Sequence, residues 1–392
     1  MYNRIIQKDV EKWLERNKII IIYGARQVGK TTLVKQIAEK FEEKAKYYDC
    51  DFGLIREKLG KSEKPLIENF LKGYELIIFD EAQRVKNIGL SLKIMRDNFP
   101  EKKIIATGSS SFDLANKISE PLTGRTIEFL LFPLSIREIL QKQDRFEIEG
   151  AIENIIRFGL YPDVYGAGEE AKKDLLFNIT NNYLYKDILE FENIKKSDQL
   201  FSLLQLLALQ IGNEVSFDEI GRQLGMNKLT VQKYVDLLEK SFVIFSLHSF
   251  SRNLRKEISK SIKIYFWDLG IRNALVNNFN SLAIRSDAGA LWENFCVAER
   301  MKFNFNSRKF INSYFWRTYD QQEIDLIEER DGKLFGYEIK WNAKKYKEPK
   351  LWREAYKNAK FKIINKENCL EFIAGNYRKE IQGIRNLIEI RN

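Results

Sequence analysis

The chain has 392 residues, 44% hydrophobic and 31% charged, an ordinary composition for a soluble protein of two or three domains. No apolar run approaches the roughly 18 residues of a membrane span, and the start lacks an apolar signal-peptide core, so a cytoplasmic protein is expected. Its net charge of +10 is uneven: residues 1–250 hold 37 basic and 37 acidic side chains, residues 251–392 hold 28 and 18. A basic last third is either the electrostatic footprint of a polyanion partner or charge that keeps a small domain soluble. One histidine, His248, excludes poly-His metal sites. The three cysteines, Cys50, Cys296 and Cys369, have no CxxC spacing and point to a reducing compartment. Carboxylates, lysines and arginines are left to do any chemistry.

Ile19 to Tyr23 reads as a short buried strand, followed by a loop and then a helical pattern. The loop, Gly24-Ala25-Arg26-Gln27-Val28-Gly29-Lys30-Thr31-Thr32, matches the phosphate-binding pattern GxxxxGK[ST]. Gly24 and Gly29 permit a tight turn whose N–H groups face phosphate oxygens, and the helix that follows adds its N-terminal dipole. Lys30 supplies charge to the β- and γ-phosphates of ATP, and the Thr31 hydroxyl ligates Mg²⁺. Some fifty residues on, the apolar run Leu76–Phe79 ends in Asp80, placed as the Mg²⁺-side carboxylate, and Glu81, placed to orient an attacking water. A third strand ends in Thr107-Gly108-Ser109-Ser110. These residues either hold phosphate or water, Ser109 foremost, or form an ordinary strand exit. Arg125, in LTGR, is a candidate arginine finger or a surface arginine, with no second sensor arginine in view.

GARQVGKTTL, IIFDEAQ, TGSSSF and LTGR resemble an AAA-type P-loop ATPase family of bacteria and archaea. Its members pair an N-terminal ATPase with a C-terminal domain of unknown function. The likeness continues through FGLYPDVY (158–165) and YLYKDILE. It implies an α/β multidomain protein with a parallel P-loop sheet flanked by helices. It carries the phosphate, metal and water roles to Lys30, Thr31, Asp80 and Glu81.

The middle of the chain reads as helical, and LFSLLQLLALQIG is apolar nearly all round. Phe217–Leu224 fits a helix capped by Ser216, Gly225-Met226-Asn227 a turn, and Leu229–Ser241 a second helix with Val231, Val235 and Leu238 inward. Phe242–Leu247 then reads as the strand of a wing. This is a helix-turn-helix order that presents Lys228, Thr230, Gln232 and Lys233 to DNA or serves protein contacts. Asp236 and Glu239 oppose phosphate further along the same helix.

In the last third, GALWENFCVAERMKF is a helix carrying Glu293. Asp331-Gly332 is a hairpin turn between the strands EIDLIEE and KLFGYEIKW. Asp325 sits between Ile324 and Leu326, an odd place for a free carboxylate, and Glu338 and Lys340 share one strand face. The set resembles the PD-(D/E)xK nuclease fold, although Glu323-Ile324 stand where its proline would be. In that reading Asp325 and Glu338 hold Mg²⁺, Lys340 is catalytic and Glu293 is an auxiliary carboxylate. A solvated charged hairpin is the alternative.

The expected organisation is an ATPase domain over 1–145, a helical region over 146–270 with a winged helix near 197–250, and a restriction-endonuclease-like domain over 271–392. The expected partner is nucleic acid, DNA first, with a protein partner as the alternative and no membrane. Oligomeric state is left open.

Overall fold

The computed structural model describes residues 2–109, 122–184, 197–251, 261–318, 321–342 and 347–375. Residues 110–112 of TGSSSF and 185–190 of YLYKDILE lie outside them. Five strands, β1 (Ile19–Tyr23), β2 (Ala45–Asp49), β3 (Leu76–Asp80), β4 (Lys103–Gly108) and β5 (Thr126–Leu130), form a parallel sheet. Their order is β2-β3-β4-β1-β5. β1 and β3 are buried at every position, as parallel strands covered on both faces must be. Register aligns Tyr23 with Gly108 and Asp49 with Asp80, so the carboxyl ends of these strands open onto one crevice.

A second sheet has seven strands: β6 (Glu214–Val215), β7 (Ile244–Ser249), β8 (Ile262–Phe266), β9 (Asn312–Arg317), β10 (Glu323–Arg330), β11 (Lys333–Ile339) and β12 (Lys360–Ile364). Its order is β12-β11-β10-β9-β7-β8-β6. β9, β10 and β11 form an antiparallel meander, and β12 returns parallel to β11. Asp331 and Gly332 take φ of 48° and 72°, the left-handed pair a two-residue hairpin turn demands. β7 pairs parallel to β9, His248 with Tyr314 and Ser249 with Phe315, so one sheet carries strands from both sides of residue 270. One cluster of buried apolar side chains includes Ile20, Phe266 and Ile339 and so runs through both sheets.

The middle helices follow local signals. Helix Phe217–Leu224 is capped by Ser216, whose side chain accepts from the Glu219 N–H, and ends at Gly225 with φ 63°. The next helix, Lys228–Lys240, starts one residue before its expected place because the Asn227 side chain caps it, accepting from the Thr230 N–H at 2.8 Å. Phe242, at φ 58°, is not yet strand, and β7 begins at Ile244. Cys296 and Cys369, far apart in sequence, are both buried and free with sulfurs 3.4 Å apart.

The FGLYPDVY segment is pinned by Asp268. Its carboxylate accepts from the Leu160 N–H at 2.7 Å and the Ile271 N–H at 3.2 Å. Gly159 has φ 74°, and a Cβ there would stand 2.0 Å from Asp268 Oδ1. Gly159→Ala is therefore expected to cost about 2 kcal/mol, read as a lower urea midpoint at unchanged slope. Burial holds the Asp268 carboxyl above the usual range, with Lys302 opposing it. The native state keeps a proton that the unfolded chain releases, so stability falls as pH rises above the unfolded value of about 4. In Asp268→Asn that slope is expected to flatten, whatever the absolute stability.

Candidate nucleotide site and carboxylate centre

The crevice above β1, β3 and β4 is a cleft of about 550 Å³. Arg26, Gln27, Gly29, Lys30, Thr31, Thr32, Asp80 and Glu81 line it. Gly24 is forced to be glycine by the Leu131 carbonyl, 2.2 Å from where its Cβ would be, and Gly29 has φ 96°. Ala25 and Val28 turn into the core, so any contact they make with a ligand is through the backbone. The Lys30 ammonium donates to the Gly24 and Ala25 carbonyls at 2.9 and 3.0 Å and lies 3.9 Å from Glu81 Oε1.

Asp80 is buried and heavily engaged. Its Oδ2 accepts from the Thr31 hydroxyl and the Tyr47 hydroxyl, each at 2.5 Å, and its Oδ1 accepts from the Thr107 hydroxyl. Burial and the Asp80 contact hold the Tyr47 phenol well above its ordinary range, which keeps it a donor to that carboxylate. Nearby, burial pushes the Cys50 thiol up to about 12, so it stays protonated. Glu81 adopts φ 53°, its N–H donates to Thr107 Oγ1 at 3.1 Å, and its carboxylate accepts from Gln83 Nε2 at 2.5 Å. The same amide reaches Ser109 Oγ at 3.0 Å. Ser109 therefore stands behind Glu81 and outside the cleft lining. A threonine hydroxyl meeting a buried carboxylate beside a lysine is a donor set suited to Mg²⁺ on a nucleotide phosphate.

Arg125 is not brought to this cleft. It precedes β5 at the opposite end of the sheet, where its carbonyl takes the Ile19 N–H and its guanidinium pairs with Asp97 at 2.7 Å. The length of β1, about 13 Å at roughly 3.3 Å per residue, separates it from the loop. Arg4, which carried no sequence signal, does reach the loop. It donates to the Val28 carbonyl at 2.6 Å, the Phe132 carbonyl at 2.5 Å and Glu138 Oε1 at 2.9 Å. Tyr47 and Gln83 were also missed. The position of Gln83, just past the end of β3, was a signal for it, whereas nothing local marked Tyr47. Pro162 and Asp163 of FGLYPDVY complete the cleft from the following segment.

In the second sheet, Asp325, Glu338, Lys340 and Glu293 do converge. Asp325 sits at a bulge where the β9–β10 register shifts between Ile324 and Ile327. Its Oδ2 accepts from the Ile339 N–H at 2.7 Å and lies 3.5 Å from the Lys340 ammonium, which is 2.7 Å from Glu338 Oε1. Glu293, on helix Ala288–Asn306, accepts from the Tyr265 hydroxyl at 2.7 Å. Burial and then the Asp325 charge raise the Glu293 carboxyl to about 8. Lys263 of β8, unmarked in the sequence reading, enters the same cluster against Glu293, Glu323 and Asp325. Among the described residues no group of three or more His, Cys, Asp or Glu side chains has the spacing to hold a metal.

On helix Lys228–Lys240, Gln232 and Lys233 are exposed. Lys228 pairs with Asp218 at 2.8 Å, and the Thr230 hydroxyl bonds Asn227. Glu239 is not the outward charge expected: it is half-buried, and burial raises its carboxyl.

A phosphate loop, a buried aspartate and an adjacent glutamate at the carboxyl ends of a parallel β2-β3-β4-β1-β5 sheet define a P-loop ATPase domain. Residues 16–140 match the family described as AAA domain. Residues 149–282 and 288–392 match two domains of unknown function, DUF8612 and DUF4143. An uncharacterized protein of Mycobacterium tuberculosis is 28% identical over 332 residues, covering 83% of this chain and 71% of that protein. One from Methanocaldococcus jannaschii is 27% identical over 385 residues, covering 92% and 84%. The Walker-type ATPase of Pyrococcus abyssi has a similar fold, with a TM-score of 0.50 at 18% identity, over 70% of this chain and 96% of that one. Among the described residues no helix is long and apolar enough to cross a membrane.

Arg4→Ala leaves Glu138, 1% exposed, without its cation, and is expected to cost about 3 kcal/mol in chemical denaturation. Arg4→Lys should recover little of this, because one ammonium cannot span three acceptors that a guanidinium fork reaches.

Proposed function

We propose that the protein binds and hydrolyses ATP with Mg²⁺ and couples the nucleotide state to nucleic acid, DNA first, held by its middle and basic C-terminal segments. The observation that carries the ATPase reading is the meeting of Thr31 and Asp80 at 2.5 Å beside Lys30. Lys30 leaves the loop carbonyls for the phosphates, and loop N–H groups hold them in place. Thr31 and Asp80 would hold Mg²⁺, which would supply positive charge against the phosphate oxygens. Glu81, oriented by Gln83 and by its own N–H on Thr107, aligns the attacking water.

The nucleic-acid reading is supported by the order of helix Phe217–Leu224, turn, helix Lys228–Lys240 and the antiparallel β7–β8 pair, an order that a winged helix also has. The order helix, three-stranded meander, helix, parallel strand over residues 288–364 supports it too, since a nuclease-like fold has that order. The basic excess of the last third adds a charge match. A second reading, a switch that binds a protein partner, is favoured by one surface. Lys228 is tied to Asp218, Leu229 is 74% exposed beside it, and β7 is committed to β9 instead of standing free as a wing.

Lys30→Ala is expected to lower ATP turnover about 100-fold or more. Arg125→Ala should stay within about two-fold of wild type in the same assay. On the nucleic-acid arm, affinity for a short duplex should fall at least about tenfold between about 50 and 200 mM salt. Binding that is absent, or flat with salt, gives the surface to a protein partner.

A further inference from the structure

Lys263 is 1% exposed, an uncommon state for an ammonium, and is delivered from β8, outside the C-terminal meander. An ammonium has three N–H donors, and three carboxylates face this one. Glu293 Oε1 lies at 3.3 Å, Asp325 Oδ1 at 3.9 Å, and Glu323 is in direct contact. The Phe315 ring, its centroid 5.5 Å away, closes the cluster on another side.

A divalent cation bridging Asp325 to its neighbours needs an Asp325 oxygen turned toward it. Oδ1 faces Lys263, while Oδ2 takes the Ile339 N–H and faces Lys340. Glu293 Oε1 is shared between the Tyr265 hydroxyl and Lys263. The residues present therefore do not fit the cation that the nuclease-like resemblance implies.

We propose that Lys263 takes the place of that cation. Its ammonium fills the space among Glu293, Glu323 and Asp325 and offsets part of their charge, so the centre binds no divalent cation and instead fastens the β7–β8 pair to helix Ala288–Asn306 and β10. The last third then serves as a binding and docking unit, and Lys340 works as a cation on its surface rather than as part of a metal-dependent cutting site.

The test uses the full chain, free of nucleotide and DNA, titrated with Mn²⁺ alone and followed by electron paramagnetic resonance of the free ion. Wild type and Asp325→Asn are expected to bind Mn²⁺ with the same stoichiometry. Lys263→Ala, which removes the ammonium from among Glu293, Glu323 and Asp325, is expected to gain one site that the Lys263→Ala/Asp325→Asn double variant loses. A wild-type site that Asp325→Asn removes would overturn the proposal, and so would a folded Lys263→Ala that gains none. Should Lys263→Ala fail to fold, the wild-type against Asp325→Asn comparison still decides. Because neither ATP nor nucleic acid is present, the outcome is independent of the proposed function.

Discussion

A carboxylate taken out of water must find a cation or a set of N–H donors, or it destabilises the fold by several kcal/mol. That constraint decides where the segments of this chain meet. Glu138, just beyond the parallel sheet, is answered by Arg4 from the N-terminal segment and by the Ser135 N–H. Glu299, on helix Ala288–Asn306, accepts from the Ile136 N–H at 2.7 Å and pairs with Lys302, which also reaches the Leu134 carbonyl. Glu328 of β10 takes a two-pronged contact from Arg300, and Asp268 takes the Leu160 N–H within FGLYPDVY. Arg4 with Glu138, Ile136 with Glu299 and Leu160 with Asp268 join stretches that sequence separates widely, so the polar core acts as a set of fasteners laid through an apolar one.

These fasteners also connect the two sites. Arg4 touches the phosphate loop through the Val28 carbonyl and Glu138 through its Nε. Glu138 shares the short helix Ile136–Ile139 with the N–H that Glu299 receives, and Glu299 lies on the helix that carries Glu293. A loop that shifts on binding phosphate cannot move Val28 without loading Arg4. Contiguity is not itself coupling. The residues that make the connection, Arg4, Glu138 and Glu299, are buried and ionic.

What could be read from the sequence was whatever chain-local physics writes. The loop Gly24–Thr31 has fixed spacing because backbone N–H groups must converge on phosphate, and Asp331-Gly332 announces a turn because few other pairs tolerate its angles. Ser216 and Gly225 mark helix ends for the same kind of reason. Asp325 was visible as a charge trapped between Ile324 and Leu326. Lys263 likewise sits between Ile262 and Ile264 in a run that ends in Tyr265-Phe266, a signal left unused in the sequence reading, and in the structure it faces Asp325. A buried charge read alone is half a statement, and the other half lies wherever the topology delivers the opposite sign.

Non-local pairing was not legible. Nothing near Arg125 tells that β5 runs parallel beside β1 with Thr126 opposite Ile19, the register that sends Arg125 to the far end of the sheet. Nor does any local pattern join β7 to β9, two residue pairs that merge the middle and last thirds into one seven-stranded sheet. That junction changes what the middle segment can do. A free hairpin beside a helix-turn-helix can follow a groove, whereas β7 is hydrogen-bonded to β8 on one side and β9 on the other and so is an interior strand of the larger sheet. Lys263, delivered by β8 into the carboxylates of β10 and helix Ala288–Asn306, adds an ionic tie between the middle segment and the last third. The contacts of Arg4, Glu138 and Glu299 in turn join helix Ala288–Asn306 to the phosphate loop of the P-loop sheet.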